Sequence, residues 1–378
     1  MTTNTSEPAA PPADRLVLLN PGPVNVHDRV RAALAAPDMC HREPEAAQLM
    51  TRVRTKVTQV SGGDDSYTGV LLAGSGTAAL EAVFSSVVPP DGRILILDNG
   101  HYGERLYRIV TVHGVDCRRM EFGWTRPIDL AAVDRALAED PGITHVGMVH
   151  HETSTGMLNP LREVGEIVAR HGRSLAVDAI SSLGSERLDV RADRIDWCVG
   201  TANKCLEGLP GVSFVCARRE ALEALADVPP RSFYLDLHGH YHSQEYLHAP
   251  LFTPALQVMT AFEEALDLVL AEGVTARGER YAAHAGRLRA GMAALGLEFL
   301  LPPEHRANSV TNVRLPAGVG YEALHDALKA EGYVIYATQQ QLDGVFRVAN
   351  MGQLTERDVE GFLGALDRAL VKLSEAGR

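Results

Sequence analysis

The chain has 378 residues, 46% hydrophobic and 22% charged, which is the composition of a globular protein with room for one large and one smaller domain. Its net charge of −12 argues against nucleic acid or an anionic membrane surface as the main partner. No uncharged apolar run reaches membrane-spanning length, and the start, MTTNTSEPAAPPAD, lacks the pattern of a secretory signal. We therefore expect a cytoplasmic protein.

The first 15 residues are rich in Thr, Pro and Ala and are predicted to form a disordered arm. From residue 66 onward, apolar runs alternate with amphipathic stretches. In chain order, the predicted strands (β) and helices (α) are β 67–74, α 77–88, β 93–98, α 103–114, β 143–150, α 161–172, β 174–179, β 196–200 and β 211–217. Continuous Val, Ile and Leu runs between helices predict an α/β domain whose parallel sheet is covered on both faces.

The sequence pattern changes after about Thr253. Two long amphipathic helices are predicted at 255–273 and 274–296, followed by strands at 309–315, 333–337 and 345–350 and a final helix from Thr355. This order predicts a smaller α+β domain. We place the large domain at residues 16–260 and the small domain at 261–378.

A first group of candidate binding residues lies where the strand at 67–74 gives way to a helix. Ser75, Gly76 and Thr77 occupy this turn. A helix N-terminus offers unpaired N–H groups and a positive dipole end, glycine lets the backbone approach a phosphate, and the hydroxyls add donors. The alternative is an ordinary strand-to-helix turn with Ser or Thr as the N-cap.

Other candidates follow the ends of predicted strands, where open α/β sheets bind ligands. Asp178 ends an apolar strand and could pair with a protonated ring nitrogen, while Tyr102 could stack on a planar ring. Thr153 and Ser154, in HHETSTG, could bond a ligand oxygen. Each residue taken alone is also typical of a turn or a polar loop.

A lysine and an arginine complete the candidate set. Lys204 lies between small residues in GTANKCLEGLPG, where it is either a surface charge or a lysine that forms an imine. Arg347 lies inside an apolar strand, and a buried arginine requires an anionic partner, either a ligand carboxylate or a protein ion pair. Together the candidates are the parts of a pyridoxal-phosphate site.

The order and spacing of these motifs resemble fold-type I, class V aminotransferases, and within them the 2-aminoethylphosphonate:pyruvate transaminase family. The resemblance runs from LLNPGPVNV at residue 18 to about residue 368 and is strongest in GMVHHETSTGMLNP, TANKCLEGLPG and SFYLDLH. It implies a large domain with a mostly parallel sheet of seven strands, a smaller C-terminal α+β domain, and pyridoxal 5′-phosphate as cofactor. The implied reaction moves an amino group from 2-aminoethylphosphonate, or a related aminophosphonate, to pyruvate by a ping-pong mechanism.

The resemblance also implies a role for each matching residue. Lys204 would hold the cofactor as a Schiff base and shuttle the proton, and Asp178 would keep the pyridine nitrogen protonated. Thr253 would reach the phosphate in the neighbouring subunit of a homodimer with shared active sites. The other implied residues are Ser75, Gly76, Thr77, Tyr102 and Thr153 for the cofactor, and Arg347, Arg42 and His41 for the substrate, the last two from a segment, residues 16–45, that lies at the active site.

Several departures leave the amino donor open. CHREPE at residues 40–45 also resembles the alanine–glyoxylate and serine–pyruvate aminotransferases, which are the alternative function. YATQQQ at residues 336–341 and Leu251 differ from the pattern of the phosphonate family. A third hypothesis, a cofactor-bound regulatory protein, is disfavoured by the intact lysine, aspartate and arginine. The histidines in HGHYHSQEYLH match no standard zinc spacing, so no metal site is predicted.

Overall fold

The computed structural model describes residues 15–376, so the predicted arm at residues 1–15 lies outside the described residues except for Arg15. In chain order the strands are β1 Val17–Leu18, β2 Tyr67–Ala73, β3 Arg93–Asp98, β4 Cys117–Glu121, β5 Ile143–Val149, β6 His151–Glu152, β7 Met157–Leu158, β8 Ser174–Asp178, β9 Trp197–Thr201, β10 Val212–Arg218, β11 Val310–Arg314, β12 Tyr333–Val334, β13 Tyr336–Ala337 and β14 Val345–Ala349. The helices are α1 Asp28–Ala33, α2 Pro44–Val60, α3 Gly76–Ser86, α4 His101–Val112, α5 Leu130–Glu139, α6 Leu161–Arg170, α7 Arg219–Ala224, α8 Leu237–Tyr246, α9 Leu256–Glu272, α10 Val274–Ala294, α11 Tyr321–Ala330 and α12 Glu356–Ala376.

The central sheet has seven strands in the order β2-β10-β9-β8-β5-β3-β4. Strand β10 is antiparallel to both of its neighbours, and the other pairs are parallel. Side chains alternate between the two faces: Leu95 and Leu97 join a core that includes residues of α2, α6 and α9, whereas Ile94 and Ile96 join a core with α3, α4 and α8. The predicted α/β class with a mostly parallel sheet is confirmed.

This topology brings the predicted site residues to one edge of the sheet. Strands β2, β3, β5, β8 and β9 point the same way, so the segments that follow them meet at their carboxyl ends. Those segments carry the turn at residues 75–77, Tyr102, Thr153 and Lys204, and Asp178 is the last residue of β8.

The C-terminal part contains an antiparallel sheet in the order β11-β14-β13, which shares a separate apolar core with α10, α11 and α12. Strand β1 pairs in parallel with β12, so the start of the described chain joins this part. The predicted smaller C-terminal α+β domain is confirmed as an architecture. Residue 260, however, lies inside α9, whose Phe262 and Leu266 pack in the large core, so the exact division of the chain stays a prediction.

Several elements were not predicted from the sequence, above all the 17-residue helix α2. Its buried residues Leu49, Val53, Val57 and Val60 recur at helical spacing, so the signal was present in the sequence. The predicted strand at 333–337 is divided, because β12 pairs with β1 and β13 with β14. Within residues 15–376, no helix is long and apolar enough to cross a membrane.

Candidate active site

A cavity of about 150 Å³ opens at the carboxyl edge of the central sheet. Its wall contains residues that come from five separate segments of the chain. Seven of the predicted site residues line it: Ser75, Gly76, Thr77, Tyr102, Thr153, Asp178 and Lys204. The chain therefore brings most of the predicted cofactor residues together at one place.

The turn at the start of α3 is built to receive an anion. Ser75 is the N-cap of α3, yet its side chain makes no capping hydrogen bond, so the hydroxyl is free to serve a ligand. A Cβ at Gly76 would lie 2.5 Å from Cδ1 of Ile180, so glycine alone fits without moving that side chain. The positive end of the helix and its first N–H groups suit a phosphate.

Asp178 is buried at the end of β8. Its Oδ1 accepts a hydrogen bond of 2.9 Å from the backbone N–H of Ile180. Burial raises the pKa of this carboxyl to about 6, and the Ile180 hydrogen bond opposes that rise. A cation in the cavity would stabilise the ionised form, and a protonated ring nitrogen is such a cation.

Lys204 follows β9 on a loop at the cavity wall. Desolvation lowers the pKa of its ammonium to about 8, so the nucleophilic free amine becomes accessible near neutral pH. Its Nζ donates a hydrogen bond to the carbonyl oxygen of Pro21. A Cβ at Gly22 would lie 3.0 Å from Cδ of Lys204, so part of the segment at residues 16–45 does contact the lysine.

Tyr102 lies in the first turn of α4 and is accompanied by a residue that the sequence analysis missed. The guanidinium carbon of Arg105 lies 4.6 Å from the centroid of the Tyr102 ring, and Nη1 of Arg105 lies 3.5 Å from Oγ1 of Thr77. Arg105 also lines the cavity. The signal that could have found it is its spacing of three residues from Tyr102 on a helix.

Hydroxyl and imidazole groups form another wall of the cavity. Thr153 donates a hydrogen bond of 2.7 Å from Oγ1 to Oγ of Ser181, and Nδ1 of His151 lies 3.1 Å from the carbonyl oxygen of Ser181. Burial lowers the pKa of His151 to about 4, so its imidazole is neutral at physiological pH. The sequence motifs contained these residues, but periodicity did not show that His151 and Ser181 face the cavity. Ser154 instead bonds Glu152 and does not line the cavity.

Arg347 lies on β14 with only 7% of its surface exposed. Its Nε and Nη2 donate to the carbonyl oxygen of Ala337 at 3.0 and 2.7 Å. Within the described chain no carboxylate pairs with it, and its buried Nη1 has no hydrogen-bond partner. The structural ion pair considered from sequence is therefore not what holds Arg347. Burial lowers the pKa of Arg347, while the nearby Tyr102 raises it. Arg347 itself is not among the residues that line the cavity, although Tyr102 is.

Besides Arg347, three predicted residues do not line the cavity within one chain. His41 is half-buried, whereas Arg42 and Thr253 are exposed, and they lie in the segments that precede α2 and α9. Their predicted roles stay predictions. In the part of the chain that the structure describes, no group of three or more His, Cys, Asp or Glu side chains is arranged to hold a metal ion.

The fold and the cavity define a class of protein. A lysine with a lowered pKa, a buried aspartate, an aromatic ring and a helix-terminal anion site surround one cavity, and this set fits pyridoxal phosphate. The sequence profile of the family described as "Aminotransferase class-V" matches residues 27–350. The chain therefore belongs to the class-V aminotransferase family, and it is a pyridoxal-phosphate-dependent aminotransferase of fold type I.

Known proteins show how close the resemblance is. The chain is 36% identical over 359 residues to a 2-aminoethylphosphonate–pyruvate transaminase of Vibrio vulnificus strain CMCP6, covering 94% of this chain and 97% of that protein. The crystal structure of ureidoglycine–glyoxylate aminotransferase from Bacillus subtilis matches with a TM-score of 0.90 at 27% identity, over 95% and 94% of the two chains. An alanine–glyoxylate aminotransferase structure from Nostoc sp. matches with a TM-score of 0.88 at 28% identity, over 97% of each chain.

Proposed function

We propose that this enzyme transfers an amino group from 2-aminoethylphosphonate, or a closely related aminophosphonate, to pyruvate. The products are phosphonoacetaldehyde, or its analogue, and alanine, formed in two half-reactions. The observation that carries the proposal is one cavity that gathers Lys204, Asp178 and the turn at residues 75–77. This cavity occurs in a chain that is 36% identical to a protein named for that reaction.

The cavity residues divide the work of amino transfer. Pyridoxal phosphate supplies an aldehyde that accepts nitrogen and a ring that withdraws electrons. Lys204 would hold the cofactor through its amine and would move the proton at the substrate carbon. Asp178 would keep the ring nitrogen protonated, Tyr102 would stack on the ring, and Thr153 would serve its phenolic oxygen; all three line the cavity.

Arg347 is the proposed anchor for the substrate's acidic group. Its free Nη1 is buried beside Tyr102, and burial strengthens a charged hydrogen bond. The planar guanidinium suits the carboxylate of pyruvate and, in the other half-reaction, a phosphonate. His41 and Arg42 add positive charge if the segment before α2 closes over the cavity.

We also propose a homodimer in the cytoplasm. Thr253 is exposed in its own chain and does not line its own cavity, which agrees with a role at the phosphate of a neighbouring subunit. An interface at this segment would complete both active sites. The cytoplasmic location rests on the sequence alone.

The deciding experiment is alanine formation from pyruvate by the purified, cofactor-loaded protein. The amino donors, each supplied alone, are 2-aminoethylphosphonate, its 1-hydroxy derivative, phosphonoalanine and serine. Turnover with 2-aminoethylphosphonate and little with serine is the expected result. Turnover with only a substituted aminophosphonate would assign the donor preference to residues 40–45 and 336–341. Absence of turnover with every phosphonate would refute the proposal.

A second candidate function is that of an alanine–glyoxylate or serine–pyruvate aminotransferase. The specific observation in its favour is the match to two crystal structures of glyoxylate aminotransferases, at 27% and 28% identity. The assay repeated with glyoxylate as acceptor, and with glycine as the measured product, separates the two functions. Turnover of serine or alanine with glyoxylate, without turnover of any phosphonate, would establish this alternative.

A further inference from the structure

Glu152 is a buried carboxylate that the proposed chemistry does not use. It lies in β6, directly before Thr153, and none of its surface is exposed. Within the described chain no Lys or Arg forms a salt bridge with it. A carboxylate without a counter-charge in such a position is costly to bury, so its hydrogen bonds must account for its presence.

Those hydrogen bonds fix the start of helix α4. Oε2 of Glu152 accepts from the backbone N–H groups of Tyr102 at 3.0 Å and Gly103 at 3.1 Å. Oε1 accepts from the N–H of Ser154 at 3.1 Å and from its hydroxyl. Because the N-cap residue of α4 is Gly100, which has no side chain, Glu152 provides the cap from another segment.

The fit around this cap is close. A Cβ on Gly100 would lie 2.5 Å from Cδ of Glu152, so only glycine leaves room for the carboxylate. The Ser154 hydroxyl also accepts a 3.2 Å hydrogen bond from the N–H of His101. The carboxylate therefore joins two cavity segments, the one that presents Tyr102 and the one that presents Thr153.

We propose that Glu152 is a positioning residue that holds the Tyr102 ring and the Thr153 hydroxyl in place against the cofactor. The proposal rests on the proposed function, in which the cofactor occupies the Lys204 cavity. Negative charge at the positive end of α4 stabilises the first helical turn. The four groups that donate hydrogen bonds to Glu152 fix the direction of this turn. The ring-stacking residue is thereby held by a group that never touches the cofactor.

Glu186 provides a matched control. It is also a buried carboxylate, and burial raises the pKa of both Glu152 and Glu186 to about 7. Glu186 accepts hydrogen bonds from the backbone N–H and the side-chain amide of Asn308, and it does not line the cavity. Replacing either residue by glutamine removes a buried carboxyl group, but only Glu152→Gln disturbs the Tyr102 turn.

The experiment compares the cofactor-loaded wild type, Glu152→Gln and Glu186→Gln. Glutamine at 152 leaves at least one of the donors facing an NH₂ group, so the α4 turn shifts. We expect the dissociation constant for pyridoxal phosphate to rise by about tenfold and the visible circular dichroism of the bound cofactor to fall. Glu186→Gln is expected to lower the melting temperature while it leaves both cofactor readouts at the wild-type values. Equal effects of the two variants on the cofactor readouts would overturn the proposal.

A double-mutant cycle tests whether Glu152 acts through Tyr102. In a Tyr102→Ala background, Glu152→Gln should change cofactor affinity by well under tenfold, because the ring is gone and only the Thr153 hydroxyl remains to be positioned. A full tenfold effect in that background would contradict the assigned role.

If Glu152→Gln does not fold, Ser154→Ala provides a second test. This variant removes one donor to the carboxylate and is expected to shift the same readouts in the same direction. Unchanged readouts would then overturn the proposal. A wild type that forms no lysine-linked visible absorbance would instead refute the proposed function.

Discussion

Burial is the main reason that Lys204 is suited to act as a nucleophile. The ordinary lysine pKa of 10.5 falls to about 8, and desolvation is the largest cause. The nearby Arg347 lowers it further, whereas Asp178 raises it. Burial likewise raises the pKa of Asp178 to about 6, so desolvation disfavours the charged form of both residues. A cofactor with a cationic ring nitrogen and an aldehyde satisfies both residues at once.

The pKa of Lys204 predicts how cofactor uptake depends on pH. The free amine attacks the aldehyde, so the rate of attachment to cofactor-free enzyme should rise about tenfold per pH unit and level off above pH about 8. Stopped-flow measurement of the visible absorbance checks this, with Lys204→Ala as the variant that gives no absorbance change. A rate that keeps rising to pH 10 would show an ordinary, solvated lysine.

Asp178→Asn tests the assignment of the ring nitrogen. The amide cannot hold a positive charge on the ring, so turnover should fall on the order of 10- to 1,000-fold while the cofactor stays bound. A cofactor analogue methylated at the ring nitrogen carries a fixed charge and should restore part of the rate. Asp196→Asn is the control, because Asp196 is also largely buried but bonds the N–H of Leu175 away from the cavity. Equal losses in both variants would contradict the assignment.

Arg347→Ala tests the binding of the acidic group. Loss of a buried charged hydrogen bond should lower kcat/KM for pyruvate by about 2–4 kcal/mol, on the order of 30- to 1,000-fold. Arg289→Ala is the control, since Arg289 also donates to a backbone carbonyl, that of Ala307, but its charged neighbours are Arg306 and Glu186 and not Tyr102. An unchanged dependence on pyruvate in Arg347→Ala would assign carboxylate binding to another group.

At the scale of elements, the strands that carry the site were predicted within one or two residues, because their Val, Ile and Leu runs are long and buried on both faces. The site residues at their ends followed from this order. Arg105 and His151 were missed, because their roles depend on side-chain direction across segments that periodicity does not relate. Glu152 was missed for the same reason, since it caps a helix that begins 51 residues earlier at His101.

The turn before α3 gives a prediction at this scale. Gly76→Ala places a methyl group 2.5 Å from Cδ1 of Ile180, which pushes the residue that bonds Asp178. We expect cofactor affinity to fall by about tenfold, measured by equilibrium titration, and Ile180→Val to restore part of it. Gly286→Ala in α10 meets no atom within 4 Å and should leave affinity unchanged. Full affinity in Gly76→Ala would show that the turn tolerates a side chain.

At the scale of the molecule, one region of the chain carries several large apolar side chains that are exposed to solvent. Exposed fractions reach 87% for Phe233 and 63% for Leu247, and Tyr234, Tyr246 and Leu251 are also exposed. Contiguous exposed apolar residues are typical of an interface, and this region leads directly to Thr253. Sequence alone indicated the threonine only through resemblance, because a role across an interface, as proposed for Thr253, leaves no pattern within one chain.

Subunit complementation tests the shared active site. Lys204→Ala disables its own cavity but still offers Thr253 to a neighbour, and Thr253→Asp places a negative charge against the neighbour's phosphate while keeping its own Lys204. Each variant alone should be nearly inactive. Mixing equal amounts under conditions that exchange subunits forms hybrids with one intact site, so activity should return to about a quarter of the wild-type value. Native mass spectrometry checks that hybrids form. As the control, a double variant with both changes on one chain should restore no activity when it is mixed with either single variant. Hybrids without regained activity would place each complete site within a single chain.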